Sequence, residues 1–92
     1  MIFEITDITA RKIRLTKERW NHIIREHPNV TNLYKIITTL TQPTTIKQSR
    51  YDQNVRWYYL FIKEKQKYIM VAVKYLNGHG FIITAYYLRN LK

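Results

Sequence analysis

Lys74, Thr84 and Tyr86 stand in two runs of alternating polarity near the C-terminal end, Tyr68-Ile69-Met70-Val71-Ala72-Val73-Lys74-Tyr75 and Phe81-Ile82-Ile83-Thr84-Ala85-Tyr86-Tyr87, on either side of Asn77-Gly78-His79-Gly80. Read as a hairpin, the stretch turns Ile69, Val71, Val73, Phe81, Ile83 and Ala85 to an apolar side and leaves Lys74, Thr84 and Tyr86 together on the other. An ammonium, a hydroxyl and a phenol on one face can neutralise a phosphate, orient it and move a proton. That set suits metal-free cleavage of RNA, in which a ribose 2′-hydroxyl attacks the adjacent phosphorus. The reaction needs a group to take or orient the 2′ proton, an acid for the leaving 5′-oxygen, and cations for the charge that builds on phosphorus. Metal-assisted cleavage instead needs carboxylates clustered around divalent ions. Asp52 and Glu64 stand alone in turn segments, so neither a metal nor another cofactor is expected.

Three histidines are available to move protons. On a helix running from Thr16, His22 falls opposite the apolar stripe, free to reach a cleft or simply to be solvated. His27 falls inside the stripe at the helix end, where it reads as a structural histidine, a cap or a contact to the substrate. His79, in the glycine turn, reads as a turn residue that borders the open face.

Charge narrows the class of partner. Sixteen Lys and Arg against six Asp and Glu give a net charge of +10. The excess is uneven: from His27 onward the acids are only Asp52 and Glu64. Bases gathered on the sheet-forming part are the electrostatic footprint of a nucleic-acid binder, with an acidic protein partner as the alternative. The 92 residues, 46% hydrophobic and 14% aromatic, suffice for one packed domain spanning 1–92. Without cysteine there are no disulfides and no thiolate metal sites, which fits a reducing compartment. No basic stretch leads into a long apolar run at Met1-Ile2-Phe3-Glu4-Ile5, and no window approaches the ~20 apolar residues of a membrane span, so a cytoplasmic protein without membrane contact is expected.

The elements that must position these residues follow from periodicity. Ile2 to Ile5 and Lys12 to Leu15 read as short strands or extended entry segments. A helix starts near Thr16, whose hydroxyl caps it, with Glu18 in the first turn, and carries Trp20, Ile23, Ile24 and His27 on one stripe until Pro28 closes it. A second helix runs from about Val30 or Asn32 to Leu40, with Leu33, Ile36, Ile37 and Leu40 on its stripe. Period two then governs Thr44–Ser49, Val55–Ile62, Tyr68–Leu76 and Phe81–Leu88. The expected fold is α+β, two N-terminal helices packed on one face of a four-stranded antiparallel sheet.

Carrying the alternation across all four strands sends Val55, Trp57, Tyr59 and Phe61 toward the helices. Lys47, Ser49, Arg56, Tyr58, Lys74, Thr84 and Tyr86 then share the open face. Bases interleaved with aromatic rings suit single-stranded RNA, since cations take phosphates and rings stack on unpaired bases. Trp20, Trp57 and Tyr59 read as core.

The run Leu15-Thr16-Lys17-Glu18-Arg19-Trp20-Asn21-His22-Ile23, the His27-Pro28 after it, Val71-Ala72-Val73-Lys74 and Ile83-Thr84-Ala85-Tyr86 resemble the phage and polymorphic-toxin branch of the barnase–EndoU–colicin–RelE ribonuclease superfamily. The resemblance implies metal-independent RNA cleavage by histidine, basic and hydroxyl side chains. It points to His22, Lys74, Thr84 and Tyr86 as catalytic, with Arg56 and His27 beside them; the alternation adds Lys47 and Tyr58 to the residues expected to contact the nucleic acid. No counterpart of barnase's carboxylate base is evident. The resemblance also implies a toxin-like endoribonuclease whose partners are RNA and an acidic antitoxin or immunity protein. The alternatives are a non-catalytic single-stranded RNA-binding module and a basic partner-binding protein.

Overall fold

The computed structural model describes residues 1–91. An N-terminal hairpin of β1 (Phe3–Thr6) and β2 (Lys12–Leu15) leads into α1 (Lys17–Glu26) and α2 (Leu33–Thr41). The meander β3 (Thr45–Gln48), β4 (Val55–Ile62), β5 (Lys67–Leu76) and β6 (His79–Leu88) follows. All six strands join one sheet in the order β1-β2-β6-β5-β4-β3. Neighbours are antiparallel except β2 and β6, which run parallel over Lys12–Arg14 and His79–Phe81.

This corrects the expected four-stranded antiparallel sheet under two N-terminal helices. The sheet is larger and mixed, and the helices follow β1 and β2 instead of opening the chain. The cause lies in the alternation of Lys12-Ile13-Arg14-Leu15: Ile13 and Leu15 are fully buried against the same core as the meander, so the segment is a paired strand. Its parallel partner is the last strand of the chain, a long-range pairing that a pass joining only sequential neighbours does not find.

Local chemistry sets the helix ends. Thr16 Oγ1 accepts from the Arg19 N–H at 3.2 Å, and His27 closes α1 with its N–H on the Ile23 carbonyl at 2.7 Å, just before Pro28. Asn32 Oδ1 caps α2 through the Tyr34 N–H at 2.9 Å. Ile23 of α1 and Ile36 and Leu40 of α2 pack with Ile13, Leu15, Tyr58, Val71 and Ile82 in the main core. Ile24, expected on the buried stripe, is 36% exposed. Among the described residues no helix is long and apolar enough to cross a membrane.

Two strands depart from the expected faces. In β4 the buried side toward the helices is Tyr58, Leu60 and Ile62, while Trp57 and Tyr59 face the other way, the reverse of the expected phase. Tyr58, expected on the open face, is fully buried. In β6 a bulge intervenes: Val73 pairs with Ile82 and Ala72 with Thr84, which leaves Ile83 as an extra residue. Ile82 and Ala85 therefore both point into the main core, while Phe81, opposite Lys74, and Ile83 lie on the open side.

Candidate active site

The open face is built by cross-strand register. One lane runs Thr45–Tyr59–Met70–Tyr86 across β3, β4, β5 and β6, and the next runs Lys47–Trp57–Ala72–Thr84. Residues in one lane are direct neighbours, so these side chains share a surface. It is not the solvated basic stripe that alternation suggests. Tyr59, Met70 and Ala72 are buried on this side and form a small second core with Trp57, Tyr68, Ile83, Tyr86, Leu88 and Leu91. Lys47 borders it, with Nζ 6.0 Å from the centre of the Tyr59 ring.

Thr84, Tyr86 and Lys74 stand on this face, as their alternation predicts. Lys74 Nζ is paired with Asp52 Oδ2 at 3.0 Å, and the pairing helps hold the Asp52 carboxyl below its ordinary range, after the hydrogen bond from the Asn54 N–H. Tyr86 has a ring partner in His27, a pairing that the sequence did not show. The imidazole of His27, at the end of α1, lies with its ring centre 5.1 Å from that of Tyr86, tilted by 41°. The reach is a product of topology. β2 accompanies β6 only as far as Phe81, then turns away into α1, which packs against β6. Its C-cap, His27, thereby arrives at the edge of the open face.

Tyr59 is the residue sequence reasoning missed. Its phenol is pushed above the ordinary range, first by burial and then by the charge of the Tyr86 phenol. The phase of β4 would have placed it: Leu60 and Ile62 are the aliphatic set of that strand, and choosing them for the core turns Tyr59 out.

Other candidates stand elsewhere. His22 is exposed on α1, where it lines a shallow groove of about 380 Å³ with Thr16, Glu18 and Arg19. Arg56 is opposite Val73, on the side of the main core, and its guanidinium lies 5.5 Å from the centre of the Tyr75 ring. Ser49 is buried in a turn, accepting from the N–H groups of Tyr51 and Asp52.

Tyr58 is part of a buried polar cluster. Its hydroxyl donates to Asp7 Oδ2 and contacts the Tyr75 hydroxyl, which also donates to Oδ2 at 2.8 Å. Oδ1 of Asp7 accepts from Thr9 Oγ1 at 2.7 Å, the Thr9 N–H at 2.9 Å and the Arg11 N–H at 3.0 Å. Burial pushes the Asp7 carboxyl up, but the hydrogen bonds from Tyr58, the Arg11 N–H, the Thr9 hydroxyl and Tyr75 together prevail and hold it below its ordinary 3.8. Burial and the carboxylate in turn push Tyr58 and Tyr75 up, so both phenols stay donors. With every acceptor filled and Asp7 5% exposed, the cluster fastens the β1–β2 turn to β4 and β5 and offers no open valence to a substrate.

Among the described residues no group of three or more His, Asp or Glu side chains could hold a metal ion. Comparison with protein-family models, with curated proteins and with solved structures finds no match to this chain.

Proposed function

We propose that this protein is a metal-independent endoribonuclease that cleaves single-stranded RNA by 2′-hydroxyl transesterification on the open face of the sheet. The observation that carries the reading is the imidazole of His27 against the ring of Tyr86, on the face that also holds Thr84, Tyr59 and Lys47, in a chain of net charge +10. Imidazole can accept a proton and a phenol can donate one. In this reading His27 takes the 2′ proton, the O2′–P bond forms, the P–O5′ bond breaks, and Tyr86 protonates the departing 5′-oxygen. The products are a 2′,3′-cyclic phosphate and a 5′-hydroxyl. Thr84 donates a hydrogen bond to a phosphate oxygen, Lys74 supplies positive charge as phosphorus becomes five-coordinate, and Lys47, three strands from Thr84, holds a flanking phosphate. A toxin-like role in the cytoplasm, with an acidic antitoxin or immunity protein covering the basic face, belongs to the same reading.

The test is incubation of the purified protein with end-labelled single-stranded RNA in EDTA, followed by analysis of the new ends. Cleavage leaving 2′,3′-cyclic phosphate is expected. Cleavage that appears only on adding magnesium or manganese contradicts the proposal.

A further inference from the structure

The turn between β3 and β4 holds an aromatic ring that the cleavage chemistry does not use. Tyr51 is 94% exposed, yet the segment that carries it is tied down. Ser49 Oγ accepts from the N–H groups of Tyr51 at 3.1 Å and Asp52 at 3.3 Å. Gln48 Nε2 donates to the carbonyls of Gln53 at 2.6 Å and Val55 at 3.1 Å, and Asp52 reaches across to Lys74. A hydrogen-bonded turn therefore presents a phenol ring that buries almost nothing in this chain. Beside it, Lys47, Gln48, Arg50, Tyr51 and Trp57 line a groove of about 320 Å³. Lys47 and Trp57 begin the lane that continues through Ala72 to Thr84. At about 4.8 Å between neighbouring strands, Trp57 on β4 and Thr84 on β6 lie roughly 10 Å apart. The side chain between them is Ala72, buried in the second core, so the groove and Thr84 lie on either side of that apolar patch.

We propose that this groove is a base-stacking subsite for an unpaired nucleotide of the RNA strand, with Tyr51 and Trp57 taking the base and Arg50 and Lys47 the adjoining phosphates. The inference rests on the proposed action on RNA for the identity of the strand and adds the place where a flanking nucleotide is gripped. Two ring faces beside two cations fit a single strand, whose bases are free to stack. A duplex hides those faces, and an acidic peptide would use the cations without the rings.

The experiment measures affinity for a single-stranded 2′-O-methyl oligonucleotide, which cannot be cleaved by this route, at several salt concentrations. Because Tyr51 is solvent-exposed, Tyr51→Ala leaves the fold intact. It is expected to weaken binding ~5- to 150-fold, the range of one lost base stack, with the salt slope unchanged. Tyr51→Phe keeps the ring and should bind like the parent. Arg50→Gln should flatten the log–log salt slope by ~0.7, one phosphate contact, whereas Lys63→Gln, which removes the same charge in the β4–β5 turn, should not. The subsite is overturned if Tyr51→Ala binds like the parent, if Tyr51→Phe loses as much as Tyr51→Ala, or if polyglutamate of equal length competes as well as unlabelled oligonucleotide. Binding that depends on Tyr51 without cleavage of ordinary RNA would sink the catalytic reading and keep the subsite. Cleavage with Tyr51→Ala indifferent in binding would do the reverse, and no binding by the parent protein would sink both.

Discussion

His27 and Tyr86 come from opposite ends of the chain, so the contact between them can be probed from either side. His27→Gln removes one ring from the pair, a loss of ~0.5–1.5 kcal/mol of stability at most. A positioned proton acceptor is worth ~10²–10⁴-fold in rate. We therefore expect a modest fall in melting temperature beside a large fall in cleavage; comparable, small effects on both would make His27 a structural residue only. Asp7 gives the opposite pattern. Asp7→Asn disturbs a carboxylate with five donors and should cost ~1–3 kcal/mol at neutral pH, with cleavage per folded molecule unchanged. The sign of the pH dependence follows from the depressed carboxyl. Its contribution is present above 3.8, the unfolded value, and is lost as pH falls through the lower folded value, so Asp7→Asn should have a shallower acid limb in urea titrations. Tyr58 and Tyr75 are raised, so their contribution is full below 10 and is lost as pH rises beyond it.

At the scale of elements, the start and end of α1 were readable from sequence because Thr16 and Pro28 act within one turn of where they stand. Strand phase was not. β4 carries large apolar residues on both faces, Tyr58-Leu60-Ile62 and Trp57-Tyr59-Phe61, so alternation holds no information about which set is inside. The aliphatic pair Leu60 and Ile62 goes inside, and Tyr58 can follow because its hydroxyl finds a buried acceptor. Tyr58 reaches Asp7, a partner 51 residues away in the chain and therefore invisible to local periodicity. In β6 the phase read backward from Tyr86 holds to Thr84 and fails beyond it, because the bulge at Ile83 shifts every earlier residue to the other face. The β2–β6 pairing makes its own demand. A Cβ on Gly80 would meet Ile13 Cγ1 and Tyr75 Cε1 at 3.0 Å, so Gly80→Ala must push either β2 or the Tyr75 ring away. We expect a loss of ~1–3 kcal/mol by chemical denaturation, with the affinity of the folded protein for RNA preserved. An unchanged midpoint would mean that the β2–β6 contact is looser than described.

Over the whole molecule, the basic balance was legible from composition, and the location of the active cations was legible only in part. Lys47 and Lys74 stand on the open face, whereas Arg56 lies against Tyr75 on the other side. Lys47→Gln and Lys74→Gln should each flatten the salt dependence of single-strand binding by ~0.7 in log–log slope, while Arg56→Gln should leave it unchanged and lower thermal stability instead. A flattened slope for Arg56→Gln would place the nucleic acid on the wrong face of this account. The central claim is that the open face performs chemistry as well as binding, and the most direct measurement is the single-turnover cleavage rate of Tyr86→Phe on single-stranded RNA in EDTA, taken beside its affinity for the uncleavable 2′-O-methyl strand. Removing one phenol oxygen leaves the ring, its contact with His27 and the second core in place. The account predicts affinity within about twofold of the parent protein and a rate lower by ~10²–10⁴-fold; equal rates for the two proteins would contradict it.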